Sequence, residues 1–296
     1  MSDHLGNLET IPKRPLGRTG IDVTQFGLGG EGVLRTVGRM REAVAVIQRA
    51  LDRGVNYYDS APAYAGCLDY YGEALGERRR DIFFASKTHD RSREGSLRLL
   101  DETLSRLKTD YLDLWQLHDL RTKADLDRIF GPKGAMEALL LARERGLVRY
   151  LGITGHHDPQ ILLQAMQRFD FDTVLVALNA ADVHRLSFIE TVLPEARRRS
   201  LGVIAMKVYA AGALLGRRLG SPLRSPAGLT AQQALGYAMS LEGVSTAIVG
   251  CSTPAEVDEN VEIARSFRTF DDAQMRELEQ QTAPAAGGFT SYKRPA

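Results

Sequence analysis

Apolar positions along the chain follow two alternating patterns. Short runs of strand character are separated by stretches in which apolar residues recur at helical spacing, and the first such stretch contains Ala43, Val46, Ile47, Ala50 and Leu51. Eight runs have strand character, at 25–30, 54–58, 82–86, 111–117, 150–154, 173–178, 202–206 and 245–249. Strands that alternate with helices pair in parallel through right-handed crossovers, so the pattern predicts an α/β fold.

Two α/β architectures fit this alternation, a closed barrel and a doubly wound open sheet. A dinucleotide-binding open sheet carries a G-x-G-x-x-G turn after its first strand, and this chain has none there. We therefore predict an (α/β)8 TIM barrel that forms a single domain over residues 1–296. A β-hairpin at about 14–24 is expected to cap the closed end of the barrel. The irregular segment at about 210–228 predicts either disorder or a functional lid, and a tail follows at about 283–296.

Composition narrows the classes of partner. The 296 residues include 38 basic and 37 acidic side chains, so a net charge of +1 gives no reason to expect a nucleic-acid or membrane partner. Two cysteines, Cys67 and Cys251, are too few for a disulfide framework. The polar N-terminus lacks the apolar core of a signal peptide, and no apolar run approaches the roughly 20 residues of a membrane span. We expect a cytoplasmic monomer or small homo-oligomer that acts on a small molecule.

Four residues that no local motif joins are the strongest candidates for chemistry: Asp59, Tyr64, Lys87 and His118. Three of them directly follow strand-like runs, at 54–58, 82–86 and 111–117, and Tyr64 lies in the loop after the first of these. The carboxyl ends of all the strands of a parallel barrel lie on one rim, where such enzymes have their active sites. An acid, a phenol, an amine and an imidazole are therefore expected to converge.

These four groups suit proton transfer to a carbonyl oxygen. A lysine ammonium favours the phenolate and so makes a nearby phenol a better acid, and an aspartate keeps that lysine charged. A histidine can orient the carbonyl while the phenol donates its proton. The carbon still needs a hydride that no side chain can supply, which implies a nicotinamide cofactor.

Several segments resemble the signatures of the aldo-keto reductases, in order and at plausible spacing. They lie at 56–66, 72–76, 84–88, 113–118, 146–154 and 253–260. The resemblance implies an (α/β)8 barrel that catalyses NAD(P)-linked carbonyl reduction or its reverse, on an aldehyde, a ketone or a sugar-like alcohol. It implies Tyr64 as the general acid, Lys87 and Asp59 as its supporting pair, and His118 as the group that orients the substrate.

The resemblance also implies a set of cofactor-binding positions at the same rim. They are Gly29, Gly30, Thr154, Gly155, Asn179, Met206, Lys207, Gly250, Cys251, Ser252, Glu256, Glu259 and Asn260. Some of them depart from the family pattern. Thr154 and Gly155 replace a Ser-Asn pair that holds the nicotinamide carboxamide, so one amide is lost, and a histidine is a possible replacement. Asn179 stands in for the usual glutamine, Met206 for a stacking aromatic residue, and Lys207 can reach the pyrophosphate.

Selectivity between NADP and NAD stays open at the sequence level. Relatives that prefer NADP place a lysine or arginine near the positions of Gly250 and Glu256, and a carboxylate there favours a ribose hydroxyl over a phosphate. Thr253-Pro254-Ala255-Glu256 is also a capping box, so Glu256 has a purely structural explanation.

The remaining alternatives concern metals and other functions. His156, His157 and Asp158 are adjacent, and three adjacent residues cannot easily face one ion, so we predict no metal site. Altered carboxamide contacts leave open a cofactor-binding sensor or partner subunit with little turnover. A Schiff-base aldolase that uses Lys87 or Lys207 is a third hypothesis.

Overall fold

The computed structural model describes residues 10–215 and 228–296 of the chain. Its strands are β1 (Lys13–Pro15), β2 (Asp22–Thr24), β3 (Phe26–Gly32), β4 (Tyr57–Asp59), β5 (Phe83–Thr88), β6 (Leu112–Leu117), β7 (Val148–Gly155), β8 (Thr173–Ala177), β9 (Gly202–Met206) and β10 (Val244–Cys251). Its α-helices are α1 (Met40–Asp52), α2 (Cys67–Ala74), α3 (Arg93–Leu107), α4 (Lys123–Phe130), α5 (Ala135–Glu144), α6 (Pro159–Arg168), α7 (Val192–Arg198), α8 (Ala231–Ser240), α9 (Pro254–Ser266), α10 (Asp272–Thr282) and α11 (Ala286–Phe289).

Strands β3 to β10 close into a parallel barrel in sequence order, with β10 paired to β3. The predicted barrel is therefore confirmed, and so is the N-terminal hairpin, since β1 and β2 pair antiparallel. Strand ends differ from the expectation in detail: Asp59 and Lys87 lie within β4 and β5 rather than just after them. His118 directly follows β6.

Two apolar layers hold the barrel together. The larger layer lies between the strands and the surrounding helices, and the smaller one fills the barrel interior. Leu16 and Val23 of the hairpin belong to the interior layer, so the hairpin closes the lower end of the barrel with apolar side chains. Gly17 makes this docking possible, because its φ is 54° and an added Cβ would lie 2.1 Å from the backbone nitrogen of Gly202.

The C-terminal segment is packed against the barrel rim. Lys293 is completely buried, forms an ion pair with Asp182 and donates a hydrogen bond to the Arg185 carbonyl oxygen at 2.8 Å. The segment predicted at 283–296 as a tail therefore contributes contacts to the carboxyl ends of the strands. Of the predicted irregular segment at 210–228, residues 216–227 lie outside the described part of the chain. Within residues 10–215 and 228–296, no helix has the length and apolar character needed to span a bilayer.

Candidate active site

The alternation of side chains along parallel strands creates a polar top layer inside the barrel. Tyr57 and Phe83 point into the interior core, and Asp59 lies two residues after Tyr57 while Lys87 lies four residues after Phe83. Because residues of the same parity face the same side of a strand, Asp59 and Lys87 also point inward, above the apolar layer. Gln116 has the same orientation, since it is paired in register with Lys87.

Asp59 and Lys87 form a fully desolvated pair. The Lys87 Nζ donates to Asp59 Oδ2 at 2.5 Å and to the Ser60 carbonyl oxygen at 2.8 Å, and both side chains are at most 2% exposed. Burial acts to lower the pKa of Lys87, but the Asp59 carboxylate and the Tyr64 phenol outweigh it, so that the pKa lies above its ordinary value. Lys87 is therefore an ammonium at neutral pH.

Tyr64 and His118 lie directly above this pair. The Lys87 Nζ is 4.9 Å from the centroid of the Tyr64 ring, and the Tyr64 and His118 rings meet edge to face at 5.8 Å between centroids. The loop that carries Tyr64 is fixed on both sides, because the Tyr64 N–H donates to the Ala61 carbonyl oxygen at 2.9 Å and the Tyr64 carbonyl oxygen accepts from the Cys67 N–H at 3.1 Å. The structure thus brings together all four residues that the sequence singled out.

Burial controls the protonation of both rings. It raises the pKa of Tyr64 to about 12, and Lys87 opposes this increase without reversing it. Burial, assisted by the Lys87 charge, lowers the pKa of His118 to about 2. At neutral pH the site therefore holds a neutral phenol and a neutral imidazole beside an ammonium. This arrangement can donate hydrogen bonds and a proton to an oxygen atom that gains negative charge.

Gln116 in this layer escaped the sequence analysis, and so did Arg35 and Glu31 in the loop above it. Gln116 is completely buried beside Asp59, and its carboxamide acts to lower the pKa of that carboxyl, which burial raises above its ordinary value. The signal for Gln116 was a polar residue inside the apolar run at 111–117, at an inward-facing position. Arg35 lies over the Tyr64 ring at 5.0 Å from its centroid and pairs with Glu31, and no pattern in the sequence pointed to this loop contact.

The glycine-rich end of β3 supports Tyr64 by packing. An added Cβ on Gly30 would lie 2.7 Å from the Tyr64 ring, and one on Gly29 would lie 3.3 Å from the Val249 backbone. Gly250 is equally restricted, since its Cβ would meet the Glu31 backbone at 2.6 Å. These glycines allow close approach of loops at the barrel mouth, whether or not they also touch a ligand.

The candidate contacts for a nicotinamide ring differ in their availability. Thr154 and Gly155 are buried at the end of β7, and Met206 packs on the interior layer at the end of β9. Asn179 is committed to the protein itself: its amide nitrogen donates to the Lys207 carbonyl oxygen at 3.0 Å and to the Tyr292 hydroxyl at 3.2 Å. Its Oδ1 accepts from the Ala181 N–H at 3.0 Å, so the carboxamide already has its partners.

Lys207 is the cation best suited to a pyrophosphate. Its backbone has a φ of 53°, and its Nζ lies 5.1 Å from the Tyr292 ring centroid without an ion-pair partner in the described part of the chain. Burial lowers its pKa. An unpaired, partly buried ammonium at the rim is the kind of group that a dinucleotide's phosphates would neutralise, so the residues fit a nicotinamide dinucleotide.

The segment expected to hold the adenosine end forms the start of α9. Glu256 accepts a hydrogen bond from the Ser252 N–H at 2.6 Å, and Thr253 Oγ1 accepts from the Glu256 N–H at 3.3 Å. Thr253 therefore caps α9 as the sequence predicts, but in the described residues Glu256 binds the Ser252 N–H rather than the N–H of the cap residue Thr253, so the reciprocal half of the capping box is absent. Asn260 is buried, with its Oδ1 accepting from the Tyr209 hydroxyl at 2.5 Å, and Cys251 is buried as well, whereas Ser252 and Glu259 are exposed.

Comparison with known proteins supports the same fold and chemistry. The family model of the aldo/keto reductase family matches residues 25–227. L-galactose dehydrogenase of Arabidopsis thaliana is 29% identical over 85% of this chain and 87% of its own length. Pyridoxal 4-dehydrogenase of Microbacterium luteolum is 25% identical over 86% of this chain and 93% of its own length. An aldo-keto reductase of Bacillus halodurans, solved in its holo form, has the same fold with a TM-score of 0.76, at 23% identity over 92% of this chain and 96% of that one.

Proposed function

Since the chain belongs to the aldo/keto reductase family, and is thus an oxidoreductase that acts on carbonyl or alcohol groups with NAD(H) or NADP(H), we propose that Tyr64 is its general acid and base. The observation that carries this proposal is the contact of the Tyr64 ring with both the Lys87 ammonium and the His118 imidazole in a buried layer. A bound nicotinamide supplies or accepts the hydride.

The four residues have separate roles in proton transfer and substrate orientation. In the reducing direction the Tyr64 hydroxyl gives its proton to the oxygen that gains negative charge, and in the oxidising direction it takes that proton back. Lys87 stabilises the phenolate formed in between, and Asp59 holds the ammonium in place. His118 is neutral, so it orients the substrate oxygen through a hydrogen bond without adding a charge.

The protonation of Lys87 argues against a Schiff-base aldolase. A nucleophilic amine must lose its proton, whereas Lys87 is held as an ammonium by Asp59 and by the Ser60 carbonyl oxygen. Lys207 directly follows β9 at the rim, and we assign it to the pyrophosphate.

We propose a hydroxylated aldehyde or sugar-like alcohol as the substrate. The two dehydrogenases named above act, by their names, on L-galactose and on pyridoxal, and both of these compounds carry hydroxyl groups beside an aldehyde carbon. The mouth above Tyr64 is lined by the Arg35–Glu31 ion pair, which offers hydrogen bonds to hydroxyl groups. A carboxylate at Glu256, on the N-terminal turn of α9, favours NAD over NADP.

Steady-state assays with both cofactors test the proposal. Purified protein is mixed with NADH or NADPH and a panel of aldoses, aliphatic aldehydes and aromatic aldehydes, while the absorbance of the reduced cofactor is followed, and the reverse reaction is run with the matching alcohols. Turnover of hydroxylated substrates with a higher kcat/KM for NADH is expected. Cofactor binding by fluorescence titration without turnover of any substrate would instead support a sensor.

A further inference from the structure

Two loops at the barrel rim bring together a carboxylate and two imidazoles that the proposed reaction does not use. The Asp119 Oδ1 lies 3.5 Å from His156 Nδ1 and 3.4 Å from His157 Nε2. One ligand atom from each residue lies within 4.8 Å of the others. Asp119 follows β6 and the two histidines follow β7, so the parallel pairing of β6 with β7 makes them neighbours.

The backbone holds these loops in position. The Leu120 N–H donates to the Thr154 carbonyl oxygen at 2.9 Å, which ties the two loops together. Arg91 donates to the carbonyl oxygens of His118 and Asp119 at 2.8 and 2.9 Å. Asp119 itself has a φ of 55°, a conformation that costs energy for a residue with a Cβ and persists because these contacts impose it. The backbone that carries Asp119 is therefore fixed against the β7 end.

The two separations from Asp119 Oδ1 fit ligands of one ion better than hydrogen-bond partners. Zinc bonds to imidazole nitrogen and carboxylate oxygen are about 2.0–2.2 Å long, which makes the edge of a tetrahedron about 3.3–3.6 Å. Both separations from Asp119 Oδ1 lie in that range, whereas N–H···O hydrogen bonds centre near about 2.9–3.0 Å. Asp119 Oδ1 and His157 Nε2 are in fact buried atoms without a hydrogen-bond partner among residues 10–215 and 228–296. Such atoms need a partner of some kind.

The surroundings of the cluster resemble an outer ligand shell. Arg121 donates to the other carboxylate oxygen, Asp119 Oδ2, at 2.5 and 2.8 Å and so orients Oδ1 toward the histidines. The adjacent carboxylate, Asp158, points elsewhere: it accepts from Gln160 N–H and Ala296 N–H, each at 2.8 Å. The sequence-based objection to three consecutive ligands therefore holds for Asp158, and Asp119 takes its place.

We propose that Asp119, His156 and His157 bind one divalent transition-metal ion of the zinc class, with a fourth position open to water. Two imidazole nitrogens and one carboxylate oxygen are ligands that suit Zn²⁺. The ion cross-links the loop that follows His118 to the loop that follows Thr154, outside the proton-transfer layer. Hydride transfer does not depend on it, so its role is to stiffen the rim. The positive charges of Arg121 and Lys207, which face the cluster, weaken binding without preventing it.

Direct ion binding tests this site. Tag-free protein carrying His4→Gln, which removes an N-terminal imidazole, is dialysed against a chelator and titrated with Zn²⁺ in competition with a chromophoric indicator. One ion per chain is expected, and His157→Gln and Asp119→Asn should each weaken binding at least tenfold. His184→Gln is the matched control, because His184 contacts the Glu279 carbonyl oxygen elsewhere on the rim and should leave the titration unchanged.

A second readout distinguishes a built site from nonspecific binding. Co²⁺ at a four-coordinate site produces strong visible ligand-field absorption, which should appear in the parent protein and the His184 variant and vanish in His156→Gln and His157→Gln. Circular dichroism checks that each variant is folded, and the two histidine variants are independent of each other. Equal Zn²⁺ affinity in the parent and in both folded histidine variants, or no stoichiometric binding by the parent, would overturn the proposal.

Discussion

Replacement of Tyr64 by phenylalanine removes one oxygen atom from the proposed proton-transfer site and leaves the ring in place. The ring contacts of Tyr64 with His118 and Lys87 do not require the hydroxyl, so the packing of the site should persist. The variant therefore tests the hydroxyl as a proton donor while the packing of the ring is kept.

The structure sets the expected magnitude. A positioned general acid contributes about 10²- to 10⁴-fold to a rate, so kcat for carbonyl reduction should fall by that factor, or about 2.7–5.5 kcal/mol in activation free energy. Burial raises the pKa of Tyr64 to about 12, roughly two units above that of a free phenol, which disfavours the phenolate by about 2.7 kcal/mol. The free wild-type enzyme should therefore show no alkaline decline from Tyr64 in kcat/KM for reduction below about pH 10.

Three measurements complete the assay: kcat and KM by cofactor absorbance, cofactor Kd by fluorescence, and the thermal unfolding midpoint. Cofactor Kd and unfolding should change little in Tyr64→Phe. Tyr70→Phe is the matched control, because the Tyr70 hydroxyl donates to the Thr36 carbonyl oxygen at 2.9 Å, outside the site. That variant should lose about 1 kcal/mol of stability and keep its activity.

Two results would refute the reasoning on Tyr64. If Tyr64→Phe retained more than about a tenth of wild-type kcat, the phenol would not be the principal acid. If wild-type reduction declined above an apparent pKa of about 8 and the decline vanished in Tyr64→Phe, the Lys87 charge would dominate over burial.

Three further outcomes follow from individual contacts. Burial lowers the pKa of His118 to about 2, so only the unfolded protein binds a proton at this residue as the pH falls below 6.5. Wild-type stability should therefore fall between pH 7 and pH 5 by about 2 kcal/mol more than the stability of His118→Gln, as measured by urea unfolding. Lys293→Met leaves the buried Asp182 carboxylate without its cation, so the free energy of unfolding should fall by about 3–5 kcal/mol and residues 283–296 should be proteolysed faster. The double variant Lys293→Met, Asp182→Asn should recover part of that stability. Glu256→Gln keeps an acceptor for the Ser252 N–H and removes the negative charge, so the ratio of kcat/KM for NADPH to that for NADH should rise by about two- to fivefold. An unchanged ratio would show that Glu256 only caps α9.

The catalytic candidates could be predicted from the sequence, because the apolar run that forms each strand also shows which residue lies at its carboxyl end. Asp59, Lys87 and His118 each stand at the end of an apolar run, and a parallel barrel brings all such ends to one rim. The cofactor positions were harder to read. Asn179 matched a family position, yet its carboxamide is bound by the Tyr292 hydroxyl, which comes from a segment more than a hundred residues away.

Hydrophobic periodicity specified eight strands that alternate with helices, because each strand and helix buries a face that its own residues define, and the absence of a dinucleotide-binding glycine turn then favoured the closed barrel over an open sheet. The tertiary structure determined the distances between the site residues and their exposure to solvent. It made the Tyr64 pKa rise rather than fall, since desolvation depends on every element that covers the phenol. It also placed Asp119, rather than the adjacent Asp158, against His156 and His157, because contacts between loops of neighbouring strands depend on the pairing of β6 with β7 and not on proximity along the chain.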